Sequence, residues 1–215
     1  MRKNTFLSVV FLLLWFNVSF SQSAKILLGA GHNDFKLIEN KTNGFIGVLN
    51  ISKIQTFTVS TKVNRFIQLY SEHMTKNFNE IGNPDLLVFN QLIEIPEGAS
   101  VKVEVLSYDE KTIRLSDYGI SEKIIPTQPS IRKDMDPSSV PFVYHRETYQ
   151  VNSFIRKPAA TVKQLGKLRG RTIGRLTFNP LSYNPVSNVL KIKTNLVVKV
   201  SFENINYAQI SENAQ

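Results

Sequence analysis

The sequence contains no cysteine. This absence excludes disulfide bonds, thiolate metal sites, a cysteine nucleophile and a lipid-bearing cysteine from the 215 residues. The fold must therefore be stabilised by burial of apolar side chains, which a hydrophobic content of 42% permits.

Acidic residues are absent from positions 148–202, although lysine and arginine are frequent there. The whole chain carries a formal net charge of +9, which suits nucleic acid, anionic lipid or an acidic protein surface. Residues 156–175 lack the interleaved aromatics that single-strand binders use, so we predict no nucleic-acid partner. A solvated face and contact with an acidic protein remain as the two interpretations.

Motifs of catalysis and metal binding are also missing. His32, His73 and His145 are isolated and fit no ligand spacing such as HExxH, which is typical of surface or structural histidines. The chain has no GxSxG and no phosphate-binding glycine loop. Asp134 and Asp136 have no third carboxylate at loop spacing. We predict no cofactor, no metal and no catalysis by this chain; an enzyme with an unrecognised site is the remote alternative.

One long apolar run is present, at residues 6–18, behind the basic pair Arg2 and Lys3. Small residues at Ser19 and Ser21 suit a signal peptidase, so residues 1–21 are predicted to be a secretory signal peptide. The run is shorter than the roughly 20 residues that span a bilayer, and we predict secretion without stable membrane insertion. Residues 22–203 form the predicted domain, and the polar residues 204–215 a flexible linker.

Helical periodicity is absent, whereas two-residue alternation is strong near the C terminus. One parity there is apolar and the other is mostly basic, which predicts a long strand with one dry face and one wet face. The apolar positions are Leu190, Ile192, Leu196, Val198, Val200 and Phe202. A shorter strand is predicted at 172–178. Two Asn-Pro pairs make 179–185 a rigid corner, so the strands either pair across a wide loop or pass between sheets.

The remaining chain also favours strands. Strands are predicted at 24–28 and within 45–63, and 65–70 favours a strand over a one-turn helix. Residues 86–115 predict a meander of short strands with a turn at 108–111. The predicted fold class is all-β, an antiparallel β-sandwich or a jelly-roll-like barrel.

Residues 123–144 differ, because central strands do not tolerate their density of prolines. The prolines are Pro126, Pro129, Pro137 and Pro141. Between them lie Arg132, Lys133 and Asp134. We predict a stiff, exposed, extended excursion that returns to the core at 142–144.

Several segments together carry a resemblance. They are a G-N-P-D-L turn at 82–86, the basic pair followed by D-P and V-P-F-V-Y, an Arg-Gly pair, and F-N-P-L-S-Y-N-P-V running into the alternating strand. Their motif residues are Gly82, Pro84, Pro137, Pro141, Tyr144, Arg169, Gly170, Pro180, Tyr183, Asn184 and Pro185. This set resembles the N-terminal propeptide of gingipain-type cysteine peptidases, which Bacteroidetes secrete.

The resemblance implies a non-catalytic prodomain that assists folding of its peptidase and keeps it latent. Its partner would be the cognate gingipain-like peptidase domain, in cis or in trans. The family's inhibitory loop presents a basic side chain to the catalytic cleft, and the corresponding residue is Arg132, beside Lys133 and Asp134. The alternative from another class is a secreted β-sandwich binding module of the cell envelope. Glycan binding would need clustered aromatics, yet the single Trp15 lies in the predicted signal peptide.

Overall fold

The computed structural model describes residues 23–78, 80–136 and 139–205. The predicted signal peptide, Pro137 and all but the first two residues of the predicted linker lie outside these ranges.

Strands dominate the described residues, as the residue types predicted. In chain order the elements are β1 (Ser23–Leu27), β2 (Asp34–Lys41), β3 (Gly44–Asn50), β4 (Lys53–Ser60), β5 (Arg65–Tyr70), β6 (Met74–Thr75), β7 (Val88–Ile95), β8 (Ser100–Arg114), a 3-10 turn (Leu115–Tyr118), β9 (Lys123–Ile124), α1 (Arg146–Gln150), β10 (Ala160–Leu168), β11 (Arg171–Phe178), β12 (Leu181–Asn184) and β13 (Val189–Glu203). None of the helical segments in the described ranges has the length and hydrophobicity that a membrane crossing requires.

The strands form three sheets. The first has the order β1-β4-β5-β9 and the second the order β10-β11-β7-β6. The third has the order β12-β13-β3-β2, with β8 also paired to β13. Apart from the parallel pair β5–β9, the strand pairs are antiparallel. The all-β antiparallel prediction is confirmed at this level; a jelly-roll-like order stays a prediction.

Strand β13 is the centre of the third sheet. It pairs with β8 along its length on one side and with β12 and then β3 on the other. Its apolar parity is buried from Leu190 to Val200, and Lys199 is exposed on the opposite face. The predicted dry and wet faces are therefore confirmed, because a strand with one face against the core must alternate at every second residue.

The Asn-Pro corner contains a strand that the sequence did not predict. The chain leaves the second sheet after Phe178 and enters the third as β12, so the alternative of a passage between sheets is correct. All four residues of β12 are buried, and a turn at 185–188 leads directly into β13. The expectation that 179–185 is only a corner is wrong, since its polar residues find partners inside the protein.

The predicted turn at 108–111 is also wrong. Those residues lie inside β8, which continues from Ser100 to Arg114 opposite β13. A Tyr-Asp-Glu-Lys sequence is typical of turns, yet pairing with a long neighbouring strand overrides that local preference. The predicted meander of short strands is therefore one shorter strand, β7, followed by one long strand.

One hydrophobic core joins the three sheets. It takes Ile54 and Ile67 from the first sheet, Leu176 and Phe178 from the second, and residues such as Ile192 from the third. Each such fully buried side chain contributes about 1.5–3 kcal/mol relative to exposure. In the absence of disulfides, this shared burial stabilises the domain.

Charge is segregated along the sequence but paired in space. We call residues 148–202 the acid-free stretch. Four of its lysine and arginine side chains contact glutamates from earlier in the chain. The pairs are Lys157–Glu80 at 2.7 Å, Lys167–Glu97 at 2.7 Å, Arg171–Glu94 at 2.9 Å and Lys191–Glu110 at 2.6 Å. Exposed pairs contribute about 0–1 kcal/mol each, so their main effect is to neutralise part of the basic surface.

Candidate functional site

The proline-rich excursion is narrower than predicted. Pro126 and Thr127 are buried, and Pro126 forms an isolated bridge with Pro84. The described residues from 130 to 136 are exposed. We therefore define residues 129–142 as the finger, and the expectation that the excursion begins at 123 is wrong because 123–127 pack against β5 and the segment before β7.

The tip of the finger is a tight turn. The Met135 amide donates to the Arg132 carbonyl at 3.1 Å, which places Lys133 and Asp134 at the two central positions. Further along the finger, the Ser139 amide and hydroxyl both donate to the Asp136 carbonyl, at 3.0 and 2.7 Å. The described residues of the finger are thus locally hydrogen bonded, and those from 130 to 136 are exposed.

The guanidinium of Arg132 is held within the tip. Its Nε and Nη2 atoms donate to the two carboxylate oxygens of Asp134, at 3.1 and 2.6 Å. Both side chains remain open to solvent, with exposures of 77% and 64%. A guanidinium has five N–H groups, so Asp134 occupies its side edge and leaves the end edge available to a second acceptor. Lys133 has no partner among the described residues.

We define residues 127–128 and 143–145, which flank the finger, as its neck, and a glutamine closes this neck. Gln128 Nε2 donates to the Val143 carbonyl at 2.8 Å, and the Val143 amide donates to Gln128 Oε1 at 2.9 Å. One side chain therefore satisfies both backbone groups of a residue 15 positions away. Phe142 and Tyr144, on either side of Val143, pack against Phe66 with ring centroids 5.8 and 6.0 Å apart. The neck is fixed to the first sheet by polar and aromatic contacts together.

A glycine turn anchors the neck on its other side. The Gly82 amide donates to the Thr127 carbonyl at 2.8 Å, and the His145 amide donates to the Gly82 carbonyl at 3.0 Å. Gly82 has a φ of 85°, and a Cβ atom there would lie 2.8 Å from the His145 ring. Only glycine suits this position, because the conformation and the close approach both exclude a side chain. The motif residues Gly82 and Pro84 thus lie directly against the base of the finger.

Polar groups next to this turn were not singled out from the sequence. Asn83 Oδ1 accepts a hydrogen bond from Thr148 Oγ1 at 2.8 Å and lies 3.3 Å from His145 Nδ1. Asp85 follows, and its Oδ1 accepts from the Asn77 amide at 3.3 Å. Burial raises the pKa of the Asp85 carboxyl above its ordinary value. No periodic signal could have identified these residues, since each acts through one specific contact.

The second proline motif is structural. Tyr183 is fully buried, and its hydroxyl donates to Asn188 Oδ1 at 2.6 Å. Asn184 Oδ1 accepts from the amides of Val186 and Ser187 at 3.0 and 3.2 Å, which orders the turn after Pro185. The Pro180 carbonyl accepts from the Lys193 amide at 2.9 Å. This motif builds the β12–β13 hairpin, and its residues 178–185 are buried.

The Arg169–Gly170 pair forms the two-residue turn between β10 and β11. Leu168 pairs directly with Arg171, and the two turn residues have φ values of 49° and 79°. Two positive values are typical of the type I′ hairpin turn, which matches the twist of its strands. Tyr144, the remaining motif residue of the neck, packs against Tyr149 in a tilted arrangement with ring centroids 4.6 Å apart.

The described part of the chain forms no candidate metal centre. Histidine, aspartate and glutamate side chains there do not gather in groups of three or more that could hold a metal ion. The feature with the clearest capacity for recognition is the finger, with an exposed guanidinium on a closed neck. This arrangement can present one cation to a carboxylate in a narrow site.

The family comparison assigns these features to a class of proteins. The model of the Propeptide_C25 family matches residues 30–214. This match covers most of the chain, and the chain therefore belongs to the C25 propeptide family, as its motifs predicted.

Named relatives agree with this assignment. The chain is 35% identical over 184 residues to Lys-gingipain of Porphyromonas gingivalis, a match that covers 86% of this chain and 11% of that protein. It is 33% identical over 128 residues to Gingipain R2 of the same species, covering 58% of this chain and 16% of the relative. The chain thus spans only about a tenth of the Lys-gingipain sequence.

Solved structures share the fold. One, from a study of the zymogenic latency of gingipain K from Porphyromonas gingivalis, superposes with a TM-score of 0.79 at 35% identity, over 85% of this chain and 99% of that chain. Another, from a complex of Porphyromonas gingivalis RgpB pro- and mature domains, gives a TM-score of 0.67 at 23% identity, over 83% and 94%. The first match shows that the family relationship extends to the three-dimensional structure. The second match shows similarity of fold alone.

Proposed function

We propose that this chain is a non-catalytic inhibitor and folding assistant of a gingipain-like cysteine peptidase. In this proposal the finger enters the catalytic cleft, and Arg132 occupies the specificity pocket. Membership of the propeptide family supports the proposal, as does similarity to a structure described in terms of zymogenic latency. The absence of cysteine means that this chain lacks the nucleophile of such a peptidase.

The single observation that carries the proposal is an exposed arginine on a closed neck. Gln128 and the Gly82 turn fix both ends of the finger before a partner arrives. Ordering a flexible loop during binding opposes affinity, so a loop that is already closed binds more tightly. The Arg132 side chain is 77% exposed, so it is accessible to a partner.

The tip geometry also fits a carboxylate-lined pocket. Asp134 retains the side edge of the guanidinium, and a carboxylate of the peptidase takes the end edge with two parallel hydrogen bonds. Removing one partner of such a buried pair costs on the order of 2–5 kcal/mol of binding. Inhibition by Arg132→Ala is therefore expected to weaken by at least about thirtyfold.

Inhibition of the cognate peptidase domain, the C25-type peptidase of the same organism, tests the proposal. The measurement compares inhibition constants for the wild type, Arg132→Ala, Lys133→Ala and Arg114→Ala. Arg114 is an exposed arginine on β8, outside the finger, and serves as the matched control. Strong inhibition by the wild type and by Arg114→Ala, with a large loss only for Arg132→Ala, is the expected pattern. Wild-type protein that leaves the peptidase fully active would reject the inhibitory function.

Assistance in folding is tested by refolding. The denatured peptidase domain is diluted from denaturant with and without an equimolar amount of this chain, and recovered activity is measured after removal of the chain. A higher yield with the wild-type chain is expected, because the prodomain has its own core and offers a preformed surface. Equal yields would show that the chain inhibits without assisting folding.

We also infer export through the Sec-type signal at residues 1–21. The charged start, the apolar run and the small residues before position 22 support it. N-terminal sequencing of the exported protein is expected to begin at Gln22. A mature protein that retains Met1 would contradict this inference.

A further inference from the structure

A basic groove lies between the outer face of the third sheet and the segment that follows α1. We define residues 151–159 as the strap. The strap is fixed at Ile155, whose amide and carbonyl exchange hydrogen bonds with Tyr183 at 2.8 and 3.1 Å. Its end is fixed by Asn179, which donates from its backbone to Ala159 and from its side chain to Pro158, each at 2.8 Å. The groove is therefore bounded by ordered backbone.

Four cationic side chains and one carboxylate line this groove of about 300 Å³. They are Arg156, Lys157, Lys191, Lys193 and Glu110. The aromatic side chains of Tyr108 and Phe154 complete the floor. Outside the groove, Lys167 and Arg171 of the acid-free stretch are paired with glutamates. The groove itself has four cations against one lining carboxylate, and so keeps an excess of positive charge.

Two of the four cations have no anionic partner. Lys157 and Lys191 are paired to Glu80 and Glu110. Lys193 contacts the ring of Tyr108, with its ammonium 5.3 Å from the centroid, but it forms no ion pair within the described ranges. Arg156 is exposed and likewise has no acidic partner among the described residues. Held over a ring, the Lys193 ammonium is positioned while its charge stays uncompensated.

We propose that this groove binds an acidic surface segment of the same peptidase that the finger enters. The inference rests on the proposed function and adds a second contact to it. Carboxylates complement the two uncompensated cations, and a concave basic site attracts them at long range. Contact with an acidic protein is thereby located at the groove, and not along the whole basic stretch.

The groove and the finger are connected through residues 80–82. Lys157, which lines the groove, pairs with Glu80 at 2.7 Å, and Glu80 lies two residues before Gly82. Gly82 in turn is hydrogen bonded to both sides of the neck. The groove and the neck of the finger thus contact the same segment, residues 80–82.

The test is a charge-neutralised pair, Arg156→Gln with Lys193→Gln. Its control is Lys163→Gln with Arg169→Gln, which removes the same charge from two exposed bases of the β10–β11 hairpin. Association with the cognate peptidase domain is measured at about 50 mM and about 500 mM salt, where the screening length falls from roughly 14 Å to roughly 4 Å. Thermal unfolding of each variant verifies that the fold is retained.

The groove variant is expected to associate about tenfold more slowly than wild type at low salt, with the difference disappearing at high salt. The hairpin control should associate within about twofold of wild type. Equal rates for wild type and groove variant, or an equal loss in the control, would overturn the proposal while leaving inhibition by the finger intact. Absence of any wild-type association would instead count against the proposed function.

A second measurement tests the groove without requiring association with the peptidase. Binding of an octaglutamate peptide and of a heparin oligosaccharide is compared for the wild type and the groove variant. Octaglutamate binding that is lost in the groove variant supports recognition of carboxylates. Heparin binding that depends on the groove, without octaglutamate or peptidase binding, would identify an anionic polysaccharide as the occupant and overturn the proposal.

Discussion

Replacement of Gln128 by alanine tests whether the closed neck sets inhibitory potency. The wild-type side chain makes two hydrogen bonds to Val143, at 2.8 and 2.9 Å. Each is worth about 1 kcal/mol net, so Gln128→Ala removes about 2 kcal/mol of neck closure. If the peptidase binds only the closed form, the inhibition constant rises by the factor by which the closed population falls, which is up to roughly thirtyfold when the neck of the variant is mostly open.

Two assays separate opening of the neck from loss of inhibition. Native-state hydrogen exchange is expected to accelerate roughly thirtyfold at the Val143 amide, because local opening exposes it, while the buried strand β13 keeps its protection. The inhibition constant for the cognate peptidase is measured on the same protein. Gln164→Ala is the control, since it removes an exposed glutamine from β10 that has no partner in the described structure.

Two results would refute the reasoning in different ways. Exchange at Val143 as fast as that of an unprotected amide, with an unchanged inhibition constant, would show that binding does not require a closed neck. Unchanged exchange would show that the Gln128 contacts do not hold the neck. A similar loss of potency in Gln164→Ala would mean that neither effect is specific to the finger.

Three further predictions concern stability. Gly44→Ala should lower the free energy of unfolding by about 3 kcal/mol in urea titration, because Gly44 has a φ of 146° and a Cβ atom would collide with a carbonyl oxygen of β13; no change would contradict the strain. Tyr183→Phe should cost about 1–2 kcal/mol, since the buried hydroxyl loses its bond to Asn188; a neutral substitution would contradict that contact. Burial raises the pKa of Asp85 above 3.8, so its protonated form contributes stability that is greatest below pH 3.8 and is lost as pH rises through the raised pKa. Asp85→Asn should abolish this pH dependence in urea unfolding, and an identical pH profile in the variant would refute it.

Patterns with a fixed period were predictable from the sequence. The apolar residues of β13 alternate because one face of the strand is buried. This alternation could be recognised without knowing which strands lie beside β13. The finger was also visible, because prolines exclude central strands and charges exclude burial. Its base was placed too early, at residue 123, because buried prolines such as Pro126 look the same in sequence as exposed ones.

Contacts between distant residues were not predictable. Strand β8 runs through a turn-like sequence because β13 supplies pairing partners and Lys191 pairs with Glu110. Strand β12 is buried despite polar residues because Asn184 bonds to the turn beyond it and to Asn152. A single sequence carries no periodic signal for such pairings, since each depends on where the rest of the fold places a partner.

The location of surface charge in the acid-free stretch was likewise not predictable from the sequence. From composition it is a basic run, and its partner could only be described as solvent or an acidic protein. In the structure, glutamates such as Glu94 and Glu97 neutralise part of it. The groove beneath the strap is one of the places where positive charge remains. Composition indicated the sign of the surface, and only the fold could give its location.

Burial of the finger tip in a catalytic cleft is the claim that most needs direct measurement. Because the chain has no cysteine, Lys133→Cys creates a unique site for an environment-sensitive fluorophore at the tip, and Lys102→Cys on β8 provides an exposed control. Addition of the cognate peptidase domain is expected to shift emission from the tip label only. Prior reaction of the peptidase with an irreversible active-site inhibitor should abolish that shift. A tip label that stays solvent-exposed in the complex, or a shift that persists with the active site blocked, would contradict the account.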